Sequence, residues 1–202
     1  MMNTFLKSIS FVFHPLLMPM FGVILFFYST PLSIPTPIIK AKLLVVFALT
    51  VLFPILIFYI LKTTRQAKTI YLQSAKERII PLIIHSVVVF FITINIFPST
   101  EILELNYFFL GILISTICCL ALAFVKFKSS IHMIASSGVL MFCIALSIHY
   151  HINLIFFIGF GFLLIGAIAT SRLHMHAHTV RELIFGLFIG ILPQLLLLKY
   201  WL

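Results

Sequence analysis

The chain alternates long apolar segments with short polar ones along its whole length. Seven apolar segments each have at least the roughly 17 residues that an α-helix needs to cross the hydrocarbon core of a bilayer. They lie at 11–28, 41–61, 80–97, 105–125, 132–149, 153–170 and 182–199. This pattern predicts an all-α, polytopic transmembrane helix bundle of about seven spans, six to seven depending on the first, in a single integral membrane domain over residues 1–202.

The first apolar segment combines features of a signal peptide and of a retained span. Lys7 precedes it, as a basic residue precedes the apolar region of a signal peptide. Pro15 and Pro19 interrupt the segment, however, and no small-x-small cleavage site follows it. We therefore expect a retained first helix, which brings the number of spans to seven.

The polar connections sort onto two faces of the membrane, because every second loop of such a bundle lies on the same side. Loops 62–80, 126–131 and 171–181 share one side with the N-terminus, and we call this side the motif face. Ten of the 13 Lys and Arg belong to the motif face: Lys7, Lys62, Arg65, Lys68, Lys76, Arg78, Lys126, Lys128, Arg172 and Arg181. The far face keeps three basic residues and two of the four acids: Lys40, Lys42, Lys199, Glu101 and Glu104.

Composition narrows the possible functions. The chain is 63% hydrophobic and 8% charged, which excludes a soluble fold. Its net charge of +9 indicates contact with lipid headgroups or anionic ligands. No basic run is long enough to follow a nucleic-acid backbone, so we expect membrane lipids and no nucleic acid as partners. The three cysteines lie in apolar segments without metal-type spacing and are expected to be small buried side chains.

The highest density of candidate chemistry is the sequence Ser-Arg-Leu-His-Met-His-Ala-His-Thr-Val-Arg-Glu at 171–182. If the last helix begins near His178, Glu182 lies one turn further on and is close enough to accept a hydrogen bond from the imidazole. A carboxylate that holds one ring nitrogen leaves the other available as a nucleophile or base. Arg172 can join this pair only if the two spans are separated by a break, which the polar composition permits.

Two further polar segments lead into spans on the motif face. In Lys126-Phe-Lys-Ser-Ser-Ile-His132, Ser130 is a candidate helix N-cap with His132 in the first turn, where exposed backbone N–H groups favour a bound anion. In Lys76-Glu-Arg-Ile-Ile-Pro81, Arg78 precedes the third span, and a proline is tolerated in a first helical turn. Three loops that are distant in sequence thus bring Arg, Lys and His to one membrane interface.

These segments resemble the motifs of the type 2 phosphatidic acid phosphatase superfamily. The third motif of that family is Ser-Arg, five residues, His, three residues, Asp. It is matched, with Glu in place of Asp, by Ser171, Arg172, His178 and Glu182.

The other two motifs are matched in part. Pro-Ser-Gly-His keeps its Ser and His as Ser130 and His132, and Lys, six residues, Arg-Pro keeps Arg78, with Lys76 nearby and the proline displaced to position 81. The resemblance covers about 62–190, which is the motif-bearing core. Two spans separate the first and second motifs here, where many members have a loop.

The resemblance implies a lipid phosphatase of a bacterial inner (cytoplasmic) membrane that forms a phosphohistidine without a metal or other cofactor. His178 would attack phosphorus, Glu182 would orient and stabilise its ring, and His132 would protonate the leaving alkoxide. The phosphoryl oxygens would be bound by Arg172, Arg78, Ser130 and one of Lys76 or Lys126.

Other functions stay open alongside this one. His174, His178 and Glu182 repeat every four residues and could line one helix face as ligands of a membrane metalloenzyme. Against a magnesium enzyme, the chain has no Asp and places only Glu77 and Glu182 on the motif face. An anion or lipid transporter with a basic pocket, or a catalytically inactive relative of the family, would also fit.

The side of the membrane that the motif face occupies is predicted differently by charge and by resemblance. The positive-inside tendency places it in the cytoplasm, whereas bacterial lipid phosphatases of the family commonly act on the periplasmic side. When the four candidate phosphate ligands Lys76, Arg78, Lys126 and Arg172 are set aside, six basic residues remain on the motif face and three on the far face. We therefore favour the cytoplasm.

The remaining polar and small residues are expected to have structural roles. Lys62, Arg65 and Lys68 are expected to contact anionic lipid or to set the topology. Close contact between helices is predicted for Gly138, Gly186 and Gly190. No role is assigned to four histidines: His14, His85, His149 and His151.

Overall fold

A computed structural model of the protein describes residues 2–63 and 74–202, without the side chains of residues 2–5 and 7. Arg65 and Lys68, for which lipid contacts are predicted, lie outside the described residues. Seven helical segments are long and apolar enough to cross a membrane: Ser8–Ser29, Thr36–Thr63, Lys76–Ile96, Leu103–Phe124, Ile131–His149, Ile155–His174 and Val180–Tyr200. They confirm the predicted all-α bundle of seven spans.

Several spans consist of more than one helical piece. The α-helices are α1 (Met2–Val12), α2 (Met18–Ser29), α3 (Thr36–Phe47), α4 (Phe53–Thr63), α5 (Ile79–Phe91), α6 (Leu103–Phe124), α7 (Ile131–His149), α8 (Ile155–His174) and α9 (Val180–Leu197). Short 3-10 turns occupy Pro15–Leu17, Lys76–Arg78 and Leu198–Tyr200, and five-residue π-helical segments occupy Ala48–Leu52 and Ile92–Ile96.

The first span is broken at its prolines. α1 ends at Val12, and His14 is extended, with φ −68° and ψ 140°. This conformation is expected for a residue that precedes proline, because the proline ring disfavours the helical region there. Pro15 opens a 3-10 turn and α2 starts at Met18, with Pro19 in its first turn, where a missing N–H leaves no intrahelical bond unmade.

Two glycines bring α9 against α7. A Cβ atom on Gly186 would lie 2.7 Å from the carbonyl oxygen of Ser130, and one on Gly190 would overlap Ser137 Oγ and the carbonyl oxygen of Ile134. Only glycine permits this approach of the two backbones. The predicted close helix contact of Gly186 and Gly190 is confirmed.

Hydrogen bonds from neighbouring spans hold the middle of α9. Pro193 has no N–H, so the carbonyl of Ile189, four residues earlier, lacks its usual helical donor. The hydroxyl of Ser115 on α6 donates to this carbonyl at 2.8 Å, and the hydroxyl of Ser137 on α7 donates to the carbonyl of Leu187 at 3.0 Å. α9 is therefore fixed between α6 and α7, which positions its first turn at the motif face.

Bulky aromatic packing fills the half of the bundle that lies away from the motif face. Phe108 and Phe142 stack with ring centroids 4.3 Å apart, and Phe26, Phe97 and Phe109 are fully buried around them. Of the three cysteines, Cys119 and Cys143 are buried as expected. Cys118 is exposed on α6, so the expectation that all three are buried is wrong: neighbouring residues on a helix point about 100° apart.

Candidate functional site

The start of the last span orients His178. α9 begins at Val180 and its N-cap is Thr179, so His178 lies in the short loop that precedes the helix. The His178 Nδ1 atom is 2.8 Å from Glu182 Oε2, which confirms the hydrogen bond predicted from the four-residue spacing. A carboxylate only accepts, so Nδ1 carries the hydrogen and Nε2 keeps its lone pair. The side chain of His178 is only 2% exposed.

Glu182 also caps the helix that it belongs to. Its Oε2 accepts the backbone N–H of Thr179 at 3.1 Å, and the Thr179 hydroxyl accepts the backbone N–H of Glu182 at 3.4 Å, which is a capping box. The carboxylate that holds His178 is thus itself fixed by the helix start. The sequence Thr179-Val-Arg-Glu182 has the signature of a capping box, and this signature predicts the observed start of α9 at Val180 more accurately than the start near His178.

A break between α8 and α9 brings Arg172 to the same region. α8 ends at His174, and His176 has a left-handed φ of 49°, which turns the chain toward α9. Arg172 is buried near the end of α8 and acts electrostatically on His178. The two spans are therefore separated by the break that allows Arg172 to join His178 and Glu182.

Arg78 reaches the loop before α7 from the third span. It is buried at the end of the 3-10 turn Lys76–Arg78, and its Nη1 donates to the carbonyl oxygen of Ser129 at 2.8 Å. Pro81 lies in the first turn of α5, as predicted. The first and second motif segments, which two spans separate in sequence, thus meet at the motif face.

Ser130 has the predicted N-cap position of α7 but does not cap the helix with its side chain. Its backbone N–H donates to the carbonyl oxygen of Glu182 at 3.1 Å, which ties the start of α7 to the start of α9. Its hydroxyl is fully buried and has no hydrogen-bond partner among the described residues. A buried hydroxyl left unpaired costs about 1–3 kcal/mol, and a ligand oxygen would satisfy it.

Three cations act electrostatically on the His178 ring. Burial lowers the pKa of His178 to about 4; the hydrogen bond that His178 donates to Glu182 opposes this shift, and Arg78, Lys128 and Arg172 add to it. The imidazole is therefore neutral at pH 7, with its Nε2 lone pair available. Burial also lowers the pKa of Lys128, as do Arg78 and Arg172, while Glu182 raises it.

Lys128 is a member of this cluster that the sequence reasoning missed. It is half-buried and interacts with Arg78, Arg172 and Glu182, whereas Lys76 and Lys126 have exposed side chains. Lys128 directly precedes the two buried serines of the second motif segment, which is the signal that could have identified it. Phosphate binding by Lys76 or Lys126 stays a prediction.

His132 is held by the first span. Its Nε2 lies 3.2 Å from the carbonyl oxygen of Ser10, and because a carbonyl only accepts, Nε2 is the donor and Nδ1 is the atom left to exchange a proton. His132 interacts electrostatically with Arg172, His14 and His178. Its ring is edge-on to that of His14, with centroids 5.5 Å apart.

Ser171 is turned toward the N-terminal helix. Its buried hydroxyl lies 2.6 Å from the carbonyl oxygen of Leu6 and 2.7 Å from the hydroxyl of Ser10. The residues of the third motif segment therefore have different surroundings: Ser171 packs α8 against α1, whereas Arg172 belongs to the group of cations that acts on His178.

The structure does not support the single helix face that a metal site at His174, His178 and Glu182 requires. His174 ends α8 with an exposed side chain, and His178 belongs to the following loop. Within residues 2–63 and 74–202, no three His, Cys or Glu side chains are grouped so that they could hold a metal ion. The expectation of one continuous face is wrong, because the helix breaks between its members.

The fold and the site define an all-α integral membrane protein of seven spans with a buried, basic, histidine-containing site at one membrane interface. No family model, no curated protein and no solved structure matches the chain. Its resemblance to the type 2 phosphatidic acid phosphatases therefore rests on the three motif segments.

Proposed function

We propose that this protein is a lipid phosphatase of the type 2 phosphatidic acid phosphatase kind, which hydrolyses a lipid phosphomonoester or diphosphate without a metal. The observation that carries the proposal is the buried His178 ring, which Glu182 holds at Nδ1 and on which the charges of Arg78, Lys128 and Arg172 act. A neutral imidazole with a free lone pair among three cations suits attack on an anionic phosphoryl group.

In the first step, Nε2 of His178 attacks phosphorus and the bond between phosphorus and the lipid oxygen breaks. The imidazolium that forms is stabilised by Glu182, and the phosphoryl charge by the three cations. When the phosphate anion is bound, its charge favours a second proton on His132, on Nδ1, and His132 gives this proton to the leaving lipid oxygen. In the second step, Nδ1 of His132 takes a proton from water, whose oxygen attacks phosphorus. The bond between phosphorus and Nε2 of His178 breaks, and inorganic phosphate leaves.

The start of α7 supplies neutral donors for the same phosphoryl group. The first backbone N–H groups of a helix have no intrahelical partner and favour an anion. The unpaired Ser130 hydroxyl is buried at this helix start. It would donate to a phosphoryl oxygen, which removes the cost of leaving it unpaired.

The position of the site supports a lipid substrate. Its residues come from the ends of spans at the motif face, the depth at which a lipid phosphate lies, and the neighbouring surfaces are apolar. We place the protein in a bacterial inner membrane. The motif face is assigned to the cytoplasm because of the excess of basic residues there.

The direct test is phosphate release by the purified protein from phosphatidic acid, phosphatidylglycerol phosphate, polyprenyl diphosphate and lipid A phosphate, with and without EDTA. We expect turnover of at least one lipid that persists in EDTA. We expect His178→Ala to abolish it, because the nucleophile is gone. His174→Ala is the matched control: His174 is exposed in the last turn of α8, four residues before His178, and should tolerate the change.

Two results would contradict the proposal. Full activity of a folded His178→Ala protein would remove His178 from the mechanism. Binding of phosphate without release from any lipid would favour a transporter or an inactive relative.

A further inference from the structure

The break in the first span lies next to the candidate site. Non-helical backbone within a membrane span is tolerated where protein buries it or where it lines a polar cavity. Here the extended residue is His14, and the hydroxyl and carbonyl of Ser10, one turn earlier, already contact Ser171 and His132. The first span is therefore part of the wall of the site.

Hydrogen bonding fixes which nitrogen of His14 carries a proton. The backbone N–H of Leu16 donates to Nδ1 of His14 at 3.4 Å, which caps the 3-10 turn at Pro15. A nitrogen that accepts has no hydrogen, so in the neutral ring the hydrogen is on Nε2. His14 is thus a hydrogen-bond donor at the ring edge away from its own backbone.

Arg172 connects His14 to the proposed nucleophile. The guanidinium of Arg172 acts electrostatically on His14, on His132 and on His178. The His14 ring lies 5.5 Å from that of His132, centroid to centroid. An anion bound at Arg172 would therefore lie close to the same group of imidazoles, to which the first span contributes His14.

We propose that His14 is a further ligand-binding residue of this site, donating its Nε2–H to an oxygen of the phosphate group held by Arg172. The proposal rests on the site of the proposed function, but it concerns binding and does not require turnover. His14 lies outside all three motif segments, so the first span adds a donor that those segments lack. The break at Pro15 serves to turn this donor toward the ligand.

Two substitutions separate the proposed role from simple capping of the turn. Asn places a side-chain acceptor where Nδ1 of His lies and is a good cap, but it lacks the reach of Nε2. Gln places an amide N–H close to the position of Nε2 but is a poorer cap. We expect His14→Asn to weaken binding of inorganic phosphate by about tenfold or more, as for a lost hydrogen bond to a charged group, and His14→Gln to retain most of it.

The measurement is a calorimetric titration of the purified full-length protein with inorganic phosphate. With an active lipid, the same loss should appear in KM more than in kcat. His85→Asn is the matched control, since His85 lies within α5 and the proposal gives it no contact with the ligand. Its affinity for phosphate should equal that of the wild type.

The opposite ranking would overturn the proposal: wild-type phosphate affinity in His14→Asn, with a loss confined to His14→Gln, would reduce His14 to a cap. Equal affinity in both variants and the wild type would also overturn it. Failure of the proposed function is distinguishable, because phosphate binding that depends on His14 without hydrolysis of any lipid would refute the phosphatase and leave the binding role intact.

Discussion

The two histidines of the proposed mechanism are held by acceptors of different charge. Nδ1 of His178 faces the carboxylate of Glu182, whereas Nε2 of His132 faces the neutral carbonyl of Ser10. A carboxylate stabilises an imidazolium more strongly than a carbonyl does. This difference suits His178 to carry the positive charge of a phosphohistidine and His132 to exchange a proton.

Lys128 is expected to matter more than Lys126, although the two are neighbours in one loop. Lys128 acts on His178, and Lys126 is exposed. We predict that Lys128→Met lowers kcat/KM for the lipid by about 10² and that Lys126→Met changes it little. Removing the Lys128 charge should also raise the pKa of His178 above about 4, because that cation contributes to lowering it.

The rate of phosphate release measures the change in kcat/KM, and ¹³C NMR of the histidine rings measures the change in the His178 pKa. The His178 signal is the one that disappears in His178→Gln.

The lowered pKa of His178 also determines how the stability of the protein depends on pH. The His178 contribution to stability is complete above about pH 6.5 and is lost as the pH falls toward 4. Equal losses of activity in the two lysine variants would argue against a specific role for Lys128.

At the scale of elements, the contact of α9 with α7 sets the geometry of the site. Gly186 lies one turn beyond Glu182, against the carbonyl oxygen of Ser130, and the Glu182 carbonyl accepts the N–H of Ser130. The distance between the two helix starts therefore also sets the distance between Glu182, which holds the proposed nucleophile His178, and the Ser130 hydroxyl.

Widening this contact should damage stability and activity together. We predict that Gly186→Ala destabilises the protein by about 1–3 kcal/mol, because the new methyl group meets backbone that cannot rotate away. It should also reduce phosphate release, because the helix starts separate. Gly166→Ala on α8 is the matched control: nothing lies within 4 Å of the added atom. Thermal unfolding in detergent and the rate of phosphate release measure both, and an unchanged melting midpoint for Gly186→Ala would contradict this account.

The number and approximate position of the spans were predictable from the sequence because bilayer thickness fixes their length. The residues at which the helices end were harder to predict. The sixth span was predicted to stop at 170, yet α8 continues to His174. Its polar last turn stays helical within protein: Ser171 donates to the Leu6 carbonyl of the first span. Polar residues signalled the end of an apolar run and not the end of the helix.

The site was predictable only where its contacts are local. Spacing along one turn brings His178 and Glu182 together, so sequence sufficed for that pair. Ser10 and His132 are 122 residues apart, and their contact depends on how the first span packs in the bundle. His14 and Lys128 were missed for the same reason, because no periodicity along the chain reports which spans are neighbours.

At the scale of the whole molecule, the two faces differ in how their charges are matched. On the far face, Lys42 forms an ion pair with Glu101 at 2.8 Å, and the hydroxyl of Tyr150 donates to the buried Glu104. Burial and this hydrogen bond raise the pKa of Tyr150, so it stays a neutral donor. The acids of the far face are thus matched within it, and the basic excess of the chain belongs to the motif face.

This asymmetry predicts that the motif face lies in the cytoplasm. In a variant without native cysteines, a single cysteine at position 126 should be protected from a membrane-impermeant maleimide in intact cells, whereas one at position 40 should be labelled. Both positions have exposed side chains. Permeabilised cells, in which both positions should react, provide the control. Labelling at 126 but not at 40 in intact cells would reverse the orientation.

The site also determines when, during synthesis of the chain, the proposed activity can begin. Spans enter the membrane in order from the ribosome, so Ser10 and His14 are in place long before His178 and Glu182 emerge. The proposed nucleophile is oriented only once the seventh span has inserted and its first turn is capped. A chain whose synthesis stops before α9 would reside in the bilayer without attacking the lipid phosphates around it.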